Sequence, residues 1–216
     1  MSTREASPST TFGLGSLSKP FLSWITAALV DGGLLDLRRP LREQAPELLA
    51  MARPDSESDS LTASHLLLHQ GGFEGDFYVD VGWSEDGLVR FAERLGELPQ
   101  LLPPGRVFSY SNAGFGMLGA ILEERGAASL EDMLRTSVVE PLGLRETAYA
   151  DRSTAPPEMN RSALPAAGIR SSLRDLQRLV ECLPEVQPDW LLTARSDAGG
   201  LADRISYSWM LDDFGG

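Results

Sequence analysis

Ser16 and Lys19 stand three residues apart in "FGLGSLSKPF", residues 12–21, with glycine before the pair and proline after it. A serine hydroxyl is a poor nucleophile until a base takes its proton, and a lysine amine does that only when burial has pushed its own pKa down. At i, i+3 on a helix the two side chains share one face, with their bases about 5–6 Å apart. A helix N-terminus adds free backbone N–H groups and a positive dipole end, both suited to a developing oxyanion. As a bare pattern S-x-x-K also arises by chance, and an ordinary helix start accounts for it.

A second segment, "FSYSNAGFGMLG" at residues 108–119, puts Tyr110, Ser111 and Asn112 in the turn before a helix. A phenol held near Ser16 and Lys19 can shuttle protons. Asn112 offers a donor and an acceptor to a substrate amide or to Lys19. Taken alone, the segment is equally a hydrophobic tyrosine with an asparagine capping the next helix. His65 and His69 lie at i, i+4, but the Glu that follows the first His of a zinc-binding H-E-x-x-H is missing, with Leu66 and Leu67 in that stretch, and no third ligand is apparent. The pair reads as structural, shaping the loop beneath the site, and no metal or cofactor is expected.

These groups need elements to hold them. After Lys19, Phe21, Trp24, Ile25, Ala28 and Leu29 repeat at helical spacing. The other side carries Ser23, Thr26, Ala27 and Val30, small rather than charged, so this helix is expected to be covered on both faces. Pro20 fits only its first turn, and "DGG" at 31–33 ends it. Further helices are expected over "LTASHLLLH", "SEDGLVRFAERLGEL", "AGFGMLGAILEERG", "LEDMLRTSVV" and "LRDLQRLVECL". Ser129 with Asp132 and Ser172 with Asp175 open the last two as capping pairs, and Leu176, Leu179, Val180 and Leu183 form the stripe of the final one. Residues 43–60 read as loop, and "LLPPGRVFSYSN" as a turn with a short extended piece. Ile205, Tyr207, Trp209 and Leu211 alternate as one strand. Residues 1–11 are expected to be a flexible lead-in, and 12–216 a single, partial domain.

The 216 residues carry a net charge of −12 with no Lys/Arg cluster, which argues against a nucleic-acid binder. One cysteine, Cys182, rules out an intrachain disulfide framework and reads as a small core residue. No apolar run approaches the roughly 18 residues of a membrane span. The N-terminal stretch lacks the apolar core of a signal peptide, so the chain reads as cytoplasmic, or as exported if a leader was removed.

In this order and with these surroundings, the two motifs resemble the serine β-lactamase and penicillin-binding-protein superfamily, within it the class C β-lactamase-like branch of family VIII esterases, D-aminopeptidases and D,D-carboxypeptidases. "LTASHLLLHQGG", "PPGRVFSYSNAGFGMLGAILE", "EPLGLRETAYA" and "AAGIRSSLRDLQRLV" are similar to its later segments, in family order. The resemblance implies an α+β fold of the β-lactamase/transpeptidase type, here mostly its helical region with little of the central antiparallel sheet. It makes Ser16 the acylated nucleophile, Lys19 its activating base and Tyr110 a second proton-transfer group. Asn112 becomes a substrate or network contact, and the Ser16 N–H one of two oxyanion donors. The family's third motif, K/H-x-G on an edge strand, is not found, since His65 and His69 belong to the "HLLLH" segment. Unpaired strand edges are therefore expected to draw self-association or a complementing chain.

Two readings follow. In one, the chain is a serine acyl hydrolase acting through a Ser16 acyl-enzyme on a small ester, amide or β-lactam. In the other it is a truncated or degenerate homologue without catalysis that serves as a binding or interaction module. The intact set Ser16, Lys19, Tyr110 and Asn112 favours the first; the missing third motif favours the second.

Overall fold

The computed structural model describes residues 6–52, 60–75, 79–97, 100–186 and 188–213. A hydrogen-bonded turn at Ser7–Thr10 leads into strand β1 (Thr11–Gly13), and a 3₁₀ turn at Gly15–Leu17 joins it to helix α1 (Ser18–Asp31). Then come α2 (Leu41–Gln44), α3 (Pro46–Ala52), α4 (Ala63–Leu67), α5 (Gly87–Arg94) and α6 (Asn112–Gly126). Helix α7 (Leu130–Leu134) continues through a π turn, Arg135–Val139, into α8 (Glu140–Leu142). The remainder is β2 (Ala148–Tyr149), α9 (Leu164–Ala167), β3 (Ile169–Ser172), α10 (Leu173–Val186), α11 (Asp189–Leu192), β4 (Arg204–Ile205) and β5 (Met210–Leu211). The strands form two small antiparallel sheets, β1–β3–β2 and the hairpin β4–β5. This is the helix-rich α+β arrangement that the resemblance implies.

Helix α1 is the element that the others cover. Phe21, Trp24, Ile25 and Leu29 are buried on one side and Ser23, Thr26 and Ala27 on the other, while Ala28 is exposed. Its buried hydroxyls all have partners: Thr26 Oγ1 donates to Leu22 O at 2.8 Å, Ser23 Oγ donates to Ser208 Oγ at 2.7 Å, and Ser18 Oγ accepts from β3. Helix α6 packs against α1, α5 and α9. Its approach to α9 depends on Gly119, where a Cβ would lie 2.4 Å from Pro165 Cγ. The three-stranded sheet is tied to α1 by the Ile169 N–H, which donates to Ser18 Oγ at 2.9 Å, while the Leu14 N–H extends the β1–β3 pairing by donating to Ile169 O at 2.8 Å.

Several local expectations change. Thr11, placed in the lead-in for its polarity, is the first residue of β1 and pairs with Ser172; residues 1–5 of that lead-in lie outside the described residues. Within 43–60, α2 ends and α3 runs, with Pro46 starting the helix where its missing N–H costs nothing and Leu48 and Leu49 buried; 53–59 lie outside the described residues. Leu98, the last residue of the helix expected over 84–98, also lies outside them.

Strand β3 escapes hydrophobic alternation because its buried residues are largely serines satisfied by partners. Ser171 Oγ bonds Thr147 Oγ1 at 2.7 Å, and Ser172 Oγ accepts the Asp175 N–H at 3.2 Å. The extended piece before Tyr110 forms no strand. The single strand expected over 205–211 is a hairpin, turned at Ser208 (φ 67°) and closed by the Ser206 N–H donating to Trp209 O at 2.8 Å. Tertiary contacts hold that left-handed serine: its N–H donates to Leu67 O at 3.1 Å and its hydroxyl accepts from Ser23 Oγ at 2.7 Å. On α10, Leu179 is buried while Val180 is 65% exposed, so the apolar stripe is narrower than its spacing suggested. Cys182 is half-buried against the core. Among the described residues no helix is long and apolar enough to cross a membrane.

Gly119 gives a test of the packing. In an exposed helix, alanine is more favourable than glycine by about 1 kcal/mol. Here the new methyl meets Pro165, and overpacking typically costs about 1–3 kcal/mol. Gly119→Ala is expected to lower the urea midpoint; a raised midpoint would show that α9 yields freely.

Candidate active site

Gly15 carries φ 54°, a conformation that L side chains rarely adopt, and it makes the sharp turn between β1 and α1. The turn separates two serines. Ser18 is fully buried and engaged with the Ile169 N–H, whereas Ser16 is exposed on the surface. Ser16 sits in the 3₁₀ turn just before α1, and its backbone N–H has no acceptor among the described residues.

Lys19, in the first turn of α1, is 2% exposed. Its Nζ lies 3.2 Å from Ser16 Oγ, 2.8 Å from Asn112 Oδ1 and 3.1 Å from Ala166 O. The Tyr110 and Phe115 rings close over it, with centroids at 4.7 and 5.3 Å. Among the described residues no carboxylate pairs with it. Desolvation therefore lowers its pKa from 10.5 to about 7. As an ammonium, Lys19 donates to all three oxygens. As a neutral amine it has two N–H bonds, which Asn112 and Ala166 take, and one lone pair left for the Ser16 hydroxyl.

Tyr110 donates its O–H to Ser16 Oγ at 2.7 Å. The residue after it, Ser111, is the N-cap of α6 and accepts the Gly114 N–H at 3.1 Å. Ser111 thus does the capping that could have occupied Asn112, leaving the Asn112 carbonyl for Lys19. The four residues picked out in the sequence are brought together by direct hydrogen bonds. Chemically, the arrangement can remove a proton from Ser16 and return one from either of two groups.

The histidines play separate structural parts. His65 closes a capping box with Thr62 at the start of α4, each N–H to side-chain distance being 3.3 Å. His69 lies against Tyr110, its ring centroid 4.2 Å from the phenol ring. Burial, with the Lys19 charge nearby, lowers its pKa to about 3, so it is neutral. Among the described residues no three His, Cys, Asp or Glu side chains group as a metal site. Three surface clefts of about 550–580 Å³ lie elsewhere, beside Arg125, Arg161 and Arg178, and none is lined by Ser16. The Ala166 carbonyl was not anticipated from sequence, since a backbone acceptor leaves no side-chain signal. His69 was anticipated only as loop scaffolding.

The site thus joins a serine at a helix start, a buried lysine three residues on and a tyrosine that donates to that serine. The chain matches the Beta-lactamase family model over residues 1–216 and belongs to that family. It is 34% identical over 137 residues to penicillin-binding protein 4 of Amycolatopsis lactamdurans, covering 63% of this chain and 35% of that protein. It is 30% identical over 169 residues to esterase EstB of Burkholderia gladioli, covering 72% of this chain and 41% of the esterase. The fold is similar to that of a penicillin-binding protein from Bacillus halodurans, with TM-score 0.73, 24% identity, and coverage of 97% and 71%. The chain spans less than half the length of these curated relatives.

Burial of Lys19 makes stability depend on pH with a definite sign. Its folded pKa, about 7, lies below its ordinary 10.5, so between those values the unfolded chain holds one proton more than the folded chain. The burial penalty is fully present below pH 7 and fades as pH rises to 10.5. Lys19→Met removes this term. The stability difference between variant and parent, from urea unfolding, is expected to move in the parent's favour by a few kcal/mol from pH 7 to 10. A difference that stays constant with pH would mean that Lys19 is charged in the folded chain throughout.

Proposed function

We propose that this chain is a serine acyl hydrolase whose nucleophile is Ser16 and whose substrate is a small ester, amide or β-lactam. One observation carries the reading: Ser16 Oγ is contacted at once by Lys19 Nζ at 3.2 Å and by the Tyr110 hydroxyl at 2.7 Å, with Lys19 poised near neutrality. Ser16 Oγ attacks the substrate carbonyl as its proton passes to the Lys19 amine. The oxyanion of the tetrahedral intermediate takes the free Ser16 N–H as one donor. Collapse breaks the bond to the leaving group, which receives a proton from Lys19 or from Tyr110, the latter re-protonated by Lys19. Water then attacks the Ser16 ester by the same proton route in reverse, releasing the acid and restoring the hydroxyl. The names of the two curated relatives, an esterase and a penicillin-binding protein, agree in pointing to acyl compounds.

Covalent labelling tests the assignment. A fluorophosphonate or a fluorescent penicillin is expected to attach at Ser16, mapped by peptide mass, with Ser16→Ala unlabelled. The labelling rate should rise with pH through about 7 as Lys19 loses its proton, then level off. Lys19→Ala and Tyr110→Phe should each slow labelling by about 10²-fold or more, the usual scale for loss of a general base or acid. A label on Ser18, or a folded chain that takes none, would leave the non-catalytic binding module as the reading.

A further inference from the structure

We infer that His69 is a positioning residue for Tyr110: one side chain and its own backbone hold the three consecutive residues 109–111 and so set the phenol on Ser16. The inference deepens the reading of Ser16 as nucleophile and rests on it. Three contacts from His69 meet three successive residues. Its carbonyl accepts the Ser109 N–H at 2.7 Å. Its ring stacks on the Tyr110 ring, centroids 4.2 Å apart and planes 23° apart. Its Nδ1 accepts the Ser111 N–H at 3.1 Å.

The histidine is itself immobilised. It is 2% exposed, flanked by Phe108 and Phe115 at centroid distances of 5.6 and 5.0 Å, and held at φ 54° just past the end of α4. A left-handed histidine is uncommon. Here the conformation presents carbonyl and imidazole to the same neighbouring loop. That loop forms no strand ladder before α6; beside the His69 contacts, the Ser109 and Ser111 hydroxyls donate to the Phe73 and Glu74 carbonyls at 3.3 and 3.4 Å, and neither of those bonds reaches the phenol ring.

Accepting a backbone N–H at Nδ1 requires that nitrogen to be unprotonated, and the surroundings keep it so. The titratable groups about the ring are Lys19 on α1 and Tyr110 in the loop; burial and the Lys19 charge both oppose a second positive charge. Stacking also fixes the plane of the phenol. The hydroxyl at the far end of the ring must land within hydrogen-bond range of one oxygen, so a small rotation of the ring would break the 2.7 Å contact with Ser16. Proton transfer is sensitive to such displacements.

His69→Asn and His69→Gly in the full chain test this, since both residues tolerate the left-handed backbone. Asparagine retains a short acceptor for the Ser111 N–H and removes the ring. Three quantities are read beside the melting temperature: the fluorophosphonate labelling rate at Ser16, the pH midpoint of that rate, and the ¹³Cζ shift of Tyr110 in tyrosine-labelled protein. In folded His69→Asn, labelling should slow about tenfold or more, and its midpoint should move above 7 as water reaches Lys19. The Tyr110 signal should move toward its value in Ser16→Ala, where the phenol has lost its acceptor. Imidazole added to His69→Gly should recover part of the rate. An unchanged rate, midpoint and Tyr110 signal in a folded variant would overturn the inference. The Tyr110 signal does not depend on acylation. A parent chain that labels elsewhere than Ser16 therefore defeats the nucleophile assignment, while the carbon shift still decides whether His69 holds the phenol.

Discussion

A lysine buried without a countercharge is the constraint on which the rest of this structure depends. Moving an ammonium out of water without an anion to meet it is costly enough that the group gives up its proton instead. At Lys19 the cost is contained by what surrounds the nitrogen: two neutral acceptors, two aromatic faces and a serine hydroxyl. Each of these weakly favours the ammonium, and none outweighs desolvation. The balance leaves a pKa of about 7, low enough for a base and high enough for the conjugate acid to return the proton.

That balance can only be kept by a helix buried on both faces. Were α1 amphipathic in the ordinary way, Lys19 would reach water on the polar side and keep its usual pKa. Instead both sides are covered: Ser23 bonds Ser208 at the tip of the β4–β5 hairpin, Trp24 meets Trp209 there, and the helix packs against α6, α9 and the π turn. The register of α1 against the sheet is set by Ser18, whose hydroxyl takes a backbone N–H of β3 that would otherwise go unsatisfied. Ser16 and Ser18 therefore divide the labour of the segment: one is held inside so that the other can stand outside.

How much of this was legible follows from what each feature leaves in a sequence. The candidate groups were legible because side-chain type and spacing mark them, and Ser16, Lys19, Tyr110 and Asn112 are joined by direct hydrogen bonds. The long helices α1 and α10 were legible from apolar periodicity and from their end signals, and α6 from its apolar run, although Ser111 and Ala127 rather than Asn112 and Gly126 cap it. Strand β3 was not, because its buried Ser171 and Ser172 are satisfied by Thr147 and by the Asp175 N–H rather than by packing, so no alternation of apolar residues marks it. The hairpin at Ser208 was read as one strand because a left-handed serine has no sequence mark; contacts from α1 and α4 impose it. Most supports of the site act through backbone atoms: Ala166 O on Lys19, and the Ser109 and Ser111 N–H groups on His69. Such contacts survive changes of side chain, and for that reason no motif announces them.

Arg161 shows what Lys19 would become with different neighbours. Both are basic side chains buried in the interior. Arg161 lies 2.7 Å from Glu131 and 3.0 Å from Glu123, and these hydrogen-bonded carboxylates hold the guanidinium charged although burial opposes it. Glu123 is also engaged by the Leu130 N–H, so the cluster joins α6 to the start of α7 as a structural tie. The difference lies in the partners rather than in depth: carboxylates fix a charge, whereas an amide and a peptide carbonyl only orient a nitrogen. In a chain with net charge −12, keeping acids away from one lysine is itself a structural requirement. The site meets it by lining Lys19 with backbone, amide and aromatic carbon. Placing a carboxylate at Asn112 would preserve the 2.8 Å contact and yet anchor the proton on Lys19, turning a lysine that titrates near 7 into a second Arg161-like tie.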